Sequence, residues 1–513
     1  MAEGRRRKER GRVRARDSMH ELRSRPPDFD SCPPGPSGGQ YRPLSQRDIE
    51  TIYDSALRIL EEIGMGECPR RLVEQALGCG AELNDLGRLR YPRAMVEDIV
   101  DGACNRFVFH GRDARHDIEV GAEAVYFGTG GAAVQTLDLE SGAYRPSTLG
   151  DLYDFARLAD ALKNVAWFTR CCVATDVPDP LDLDINTAYA LLRGTTKPVG
   201  TSFFVGSHVD PVVEMFDLAM GGAGRFRRRP FCKVHISPVI SPLRYGEDAF
   251  DVALKAIEHG MPINAIIAAQ SGATSPASLA GMLASTLAET LAALVMVNVF
   301  SPGYPMIFSN WPFVIDLRTG AFAGGGGEIA LLNAASAQLT NWLGLPSGVA
   351  ACMADAKVAD AQMGLEKALS ALATGLSGAN MVYESSGMMA SLLGASFESF
   401  VIDDEMLSHV YRIIRGIEVN ESTLGLDAIR LAVTGEGHFL GGEHTLEAMQ
   451  REYYYPKLSD RDSPGVWELS GSLDMRQRAR IRVGEILGHH HPQYLDASVN
   501  RAIRNRFDIL LDR

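Results

Sequence analysis

The side chains able to do chemistry stand where short apolar runs give way to polar ones. Thr129, Asp176, Ser237, Gln270, Asn310, Asp355 and Glu384 close such runs, and Phe203, Trp311, Phe313 and Tyr383 lie beside them. The set is rich in carboxylates and rings and poor in basic groups. Ring faces and negative charge together hold a cation that lacks hydrogen-bond donors, such as a methylated ammonium. A large barrel also puts Asp, Asn and Trp near loop starts by chance, so residue types alone leave the choice open.

Spacing excludes several other chemistries. There is no GxxxxGK[ST] phosphate loop, no GxSxG nucleophile elbow and no HExxH. The glycine strings at 128–131 and 324–327 are not GxGxxG, and 435–441 misses that spacing by one residue. Eight cysteines form no CxxC pair, and no Cys/His set has zinc spacing, so no metal site is expected. Three consecutive histidines, 489–491, point in different directions along any helix or strand and read as a solvated surface.

Around these positions the chain alternates between strand and helix. Apolar runs fall at 124–128, 166–174, 199–205, 231–236, 263–268, 306–309, 348–352 and 379–383. Helical stretches follow at 147–162, 182–193, 210–220, 246–259, 276–299, 328–343, 358–374 and 387–393. Eight strand–helix pairs are what an α/β (β/α)8 TIM barrel needs, with chemistry on the loops after the strands. A doubly wound open sheet gives the same rhythm with fewer strands. Before the barrel, Ser45 with Asp48 forms a capping box ahead of the stripe Ile49, Ile52, Ala56, Ile59, Leu60 and Ile63, and Gly64 stops that helix. The expected organisation is a mobile basic, proline-rich tail at 1–40, a mainly helical N-terminal cap at 41–120, the barrel at 121–420 and a C-terminal helical extension at 421–513.

The net charge is −13, divided into +4 over residues 1–40 and −17 over the rest. An acidic body argues against nucleic acid as a partner and has the sign that suits a cationic substrate. No stretch reaches the roughly 18 uncharged apolar residues of a membrane span. The nearest, 282–300, carries Glu289 and reads as a buried helix. With no apolar leader and unpaired cysteines, a cytoplasmic location is expected.

The string from Asn310 through Trp311, Phe313 and Asp316 to Phe322, followed by Gly324, Gly325, Gly326, Gly327 and Glu328, resembles the trimethylamine methyltransferase family. So do the strings at 379–388, 400–406, 437–441 and 454–458, and the likeness runs from about Leu44 to the end. The resemblance implies a TIM barrel that moves a methyl group from a methylated amine to the cobalt of a corrinoid on a separate carrier protein. Members acting on trimethylamine use pyrrolysine in the barrel mouth, loosely at 352–355 here, where this chain has only ordinary residues. It therefore resembles the branch without pyrrolysine, whose known activity is glycine betaine demethylation.

Chemistry agrees with that shift, because a neutral amine leaves well only from an already quaternary nitrogen. On this resemblance Trp311, Phe313, Tyr383, Glu384 and Asp355 are the expected substrate residues, and His438 is expected to orient a substrate carboxylate. Gly324, Gly325, Gly326 and Gly327 are expected to let backbone approach the substrate or the corrinoid. No residue is assigned to a catalytic step. The corrinoid is expected to arrive on its carrier, since the DxHxxG ligand motif of such carriers is absent. The expected partners are that carrier, a small quaternary amine and further copies of the chain, with no membrane. Other donors (trimethylamine, carnitine, proline betaine, choline), a metal-dependent barrel lyase or isomerase, and a non-catalytic amine-binding barrel are the alternatives.

Overall fold

The computed structural model describes residues 28–435 and 437–512. Eight parallel strands carry the fold: β1 (Tyr126–Phe127), β2 (Phe168–Thr169), β3 (Val199–Thr201) and β4 (Cys232–Ile236). They continue as β5 (Ile263–Ile267), β6 (Met306–Asn310), β7 (Ser347–Ala350) and β8 (Met381–Tyr383). Every neighbouring pair from β2 round to β8, and β8 with β1, is parallel. Between β1 and β2 the Ala166 amide donates to Phe127 O at 2.8 Å and the Thr129 amide to Trp167 O at 3.4 Å, so the sheet curls back on itself. Thr129 Oγ1 adds a bond to Thr169 O at 2.6 Å. This polar residue from the strand-end set therefore serves the seam.

A helix follows each strand: α1 (Leu149–Ala161), α2 (Pro180–Gly194), α3 (Val209–Ala219) and α4 (Glu247–His259). The second half contributes α5 (Leu279–Asn298), α6 (Gly327–Trp342), α7 (Ala361–Ser377) and α8 (Phe397–Arg415). The strand–helix alternation read from sequence is thus the (β/α)8 arrangement. One helix differs. The stretch 387–393, expected to be helical, instead turns back through three left-handed residues, Ala390, Ser391 and Leu392. It pairs Met388–Met389 with Gly394–Ser396, and the helix begins after that turn.

Most of the barrel helices show one apolar face, but α5 is apolar all round and buried over nearly its whole length. A helix of that kind needs cover on every side. The cap helix Gln46–Arg58 supplies it, packing across α5 with the capping box at Ser45 and Asp48 in place. The one acid within α5, Glu289, accepts from Ser241 Oγ at 2.6 Å and from the Leu243 amide at 2.8 Å.

The basic tail expected at 1–40 lies outside the described residues up to 27. From 28 onward it is packed rather than mobile. Cys32 is buried, Gly35 and Gly38 donate to Val125 O and Glu123 O at 2.9 Å, and Gly39 donates to Leu376 O at 2.8 Å. Past α8 the chain forms an arm containing helices Leu426–Thr434 and Glu443–Arg451, then returns along the barrel through Met475–His489 and Ala497–Arg506.

Between α7 and α8 a fully buried ion pair holds the barrel wall behind β8. Lys367 Nζ, Ser399 Oγ and the Gly387 amide all donate to Asp403 Oδ2 at 2.8 Å. Removing one partner strands the other charge without water. Asp403→Ala is expected to lower unfolding free energy by about 3–5 kcal/mol in a chaotrope titration, and adding Lys367→Met to recover much of that.

Candidate active site at the barrel mouth

The site is built from the ends of five strands. Tyr383 closes β8 with its ring fully buried in the barrel, and three other rings meet it. Trp167, just before β2, stands edge-on with centroids 5.2 Å apart, Trp311 just after β6 lies at 5.3 Å, and His235 of β4 at 5.2 Å. Phe313 lies 6.2 Å from Trp311 and 4.9 Å from Phe322, extending the aromatic wall outward. Gly128 makes room for it, since a Cβ there would stand 2.3 Å from the Trp167 ring.

Glu384 follows Tyr383 with a left-handed backbone, φ 62°, which takes it out of strand alternation. Its carboxyl is buried against Gly130 and Gly131, and a loose contact with the Gly131 amide is the one donor offered to it among the described residues. Burial pushes this carboxyl up to about 8, against a partial downward pull from Lys367. Other buried polar atoms nearby also lack partners: the indole nitrogens of Trp167 and Trp311, both amide atoms of Asn310, and Ser386 Oγ. Polar groups buried without partners are rare in finished cores, and a cluster of them at strand ends marks a place made for something else.

Below the rings lies a polar floor. Lys233 Nζ is 2.8 Å from Thr169 Oγ1 and 2.9 Å from His235 Nε2, and stands 4.9 Å from the Tyr383 ring centre. Burial drives Lys233 well below its ordinary range, and burial with Lys233 and Arg170 close by does the same to His235. Both shifts favour the uncharged forms, so the floor adds little positive charge beneath the rings.

The expected residues divide cleanly. Trp311, Phe313, Tyr383 and Glu384 come together at the mouth. Asp355, after β7, accepts from the amides of Gly324 and Gly325 at 2.7 and 3.1 Å and from Ser391 Oγ at 2.7 Å. It fastens the glycine strap to the mouth rather than standing free to meet a ligand. Gly324 and Gly325 are packed against Met353 and Glu366, whereas Gly327, the first residue of α6, has open space where a side chain would be. His438 lies far from this group. It lines a cavity of about 870 Å³ within the arm, and that arm leaves from the C-terminal end of α8, the barrel end opposite the mouth.

Trp167, Lys233, His235 and Arg170 were not singled out by sequence. Lys233 and His235 stand two apart inside an apolar run, the spacing that sends both side chains to one face, which was the available sign. Among the described residues no cluster of three or more His, Cys, Asp or Glu suits a metal ion.

A closed α/β barrel with a ringed, cation-friendly mouth is the architecture of many small-molecule enzymes. The family model for trimethylamine methyltransferase (MTTB) matches residues 4–508, and the chain belongs to that family. The glycine betaine methyltransferase of Desulfitobacterium hafniense (strain Y51) is 29% identical over 466 residues, covering 91% of this chain and 96% of that protein. Trimethylamine methyltransferase MttB of Methanosarcina barkeri is 30% identical over 473 residues, 90% and 94% of the two chains. Among solved structures, the monomethylamine methyltransferase MtmB of Methanosarcina barkeri aligns with a TM-score of 0.48 at 13% identity, covering 92% of this chain and 97% of that one. By its family and its sequence relatives the protein is a methyltransferase of the methylamine class.

The buried carboxyl has a measurable signature. Folded, it keeps its proton up to about pH 8, whereas unfolded it releases it near the ordinary 4.5. The folded state thus binds the extra proton between those limits, and stability falls as pH rises through them. Relative to Glu384→Gln, the wild-type chain is expected to lose up to about 1.4 kcal/mol per pH unit across that window and nothing further above it. Denaturant titrations at several pH values check this.

Proposed function

We propose that this chain moves a methyl group from a quaternary methylated amine, glycine betaine or a related betaine, to the cobalt of a corrinoid carried by a separate protein. The observation that carries this reading is the Glu384 carboxyl, buried with no cation bonded to it, directly after Tyr383 at the ringed mouth, over a floor with little charge. A permanent ammonium is the ligand that such a group lacks. It needs no hydrogen bonds, gains from ring faces by about 0.5–2 kcal/mol, and favours ionisation of the carboxyl.

The corrinoid, when its carrier docks, supplies the methyl-accepting metal. The residues present suit such a partner. Val134, Phe204, Leu317 and Leu393 are exposed apolar side chains on the loops that follow β1, β3, β6 and β8, and the backbone at Gly326 and Gly327 is the open edge of the mouth. Within the chain, Trp311 and Tyr383 would fix the nitrogen so that one methyl group faces outward, and the enclosing rings keep water away. When the carbon–nitrogen bond breaks, its electron pair stays on nitrogen and the departing amine is neutral. The departing amine no longer carries a permanent charge for Glu384 to balance, which weakens the hold on product relative to substrate.

Two outcomes follow. Below pH 8, affinity of the carrier-free chain for a quaternary amine is expected to rise about tenfold per pH unit and to level off above, while Glu384→Gln shows no such slope. Tryptophan fluorescence titration reads this through Trp311. With a reduced corrinoid carrier and a panel of quaternary amines, stoichiometric appearance of the demethylated amine is expected by proton NMR. No transfer from any of the panel overturns the reading.

A further inference from the structure

One buried cation at the mouth makes no direct ion pair among the described residues, and Asp184 acts on its charge only from a distance. Arg170 follows β2 directly, and its amide donates to Gly200 O of β3 at 3.1 Å, which fixes it at the end of the barrel where the rings stand. Its Nε is buried without a hydrogen-bond partner, and no carboxylate of the described residues forms an ion pair with the guanidinium. The acid that most nearly answers it, Asp184 on α2, is already engaged by His208 Nδ1 at 2.7 Å and the Phe204 amide at 3.1 Å. Arg170 is close enough to act on His235, whose ring lies 5.2 Å from Tyr383. Arg170 and the Tyr383 ring thus both bear on His235.

A guanidinium presents a planar fork of donors that matches a carboxylate with two parallel bonds, and burying it unpaired is costly. Resting on the quaternary-amine reading, we propose that Arg170 binds the carboxylate of the donor, so that the site selects zwitterionic methylated amines over simple tetraalkylammonium ions. The ammonium end then meets the rings and Glu384 while the carboxylate end meets Arg170. Each charge of the ligand then meets a buried group of opposite sign that makes no direct ion pair within the described residues. A donor without a carboxylate leaves the guanidinium unpaired, and unpaired buried donors are what make such discrimination steep. The carboxylate role expected of His438 thus falls to a residue at the mouth. An anionic group on the docking partner offers the same chemistry from another source, so the test is run without a carrier.

The purified chain is titrated with glycine betaine and with tetramethylammonium, following tryptophan fluorescence and heat, as wild type, Arg170→Gln and Arg170→Lys. Wild type is expected to bind glycine betaine more tightly. The ratio of the two affinities is expected to fall about 10- to 100-fold in Arg170→Gln, and less in Arg170→Lys, which keeps the charge but not the fork. Equal losses for both ligands, or an unchanged ratio, overturn the assignment. If Arg170→Gln does not fold, the wild-type ratio and Arg170→Lys still decide. Wild type binding tetramethylammonium as tightly as glycine betaine removes the role of Arg170 alone, whereas binding neither also removes the quaternary-amine reading.

Discussion

Desolvation of a lone carboxyl is the constraint around which this molecule is arranged. Water would stabilise the ionised Glu384, and the barrel wall denies it water while offering only a loose contact with the Gly131 amide in return. The fold tolerates this by keeping the group protonated, a state that lasts only until a positive charge arrives. Nearby choices agree with that arrangement. Lys233 and His235, either of which would repel a cation if charged, are held where burial favours neutrality. Gly130 and Gly131 bring backbone, not side chains, against the carboxyl.

The surrounding shell is there to keep these groups from relaxing. Tyr383 and Glu384 stand at the end of a strand whose far side is braced by Lys367 and Asp403, and the loop after that strand is tied to Asp403 through the Gly387 amide. Asp355 binds two successive amides of the glycine strap as well as Ser391, so three loops of the mouth share one carboxylate. Glu366 in turn accepts from the amides of Asp355 and Ala356, which fixes that carboxylate in place. A mouth built this way holds its polar groups at set positions even when they lack partners. That is the preorganisation a transfer reaction with little acid–base work would exploit.

Much of this was legible in the sequence, and the exceptions have physical causes. Strands and helices of a parallel barrel are buried on distinct faces, so their apolar runs stand out from the loops. The 387–393 stretch misled because small apolar residues look helical, while three consecutive left-handed residues there form a tight turn that composition does not announce. Trp311, Phe313, Tyr383 and Glu384 were legible because they stand at strand ends, where side chains reach the mouth by geometry alone. Asp355 met the same rule but was claimed by the strap. Lys233, His235 and Arg170 escaped notice because they lie within or against apolar runs that read as core. His438 belongs to a string shared with the family, yet likeness of a string says nothing of where the chain carries it. Here that is the far end of the barrel.

The all-round apolar α5 bears on how the molecule can come into being. In a typical barrel the outer helices show water a polar face, so the eight-strand unit can exist without its decorations. Here one outer helix resembles a membrane segment in length and hydropathy and is shielded by a helix made some 230 residues earlier in the chain. Cap and barrel are therefore halves of one cooperative unit. During synthesis the cap must wait, its own apolar stripe uncovered, until more than half of the chain has emerged to meet it.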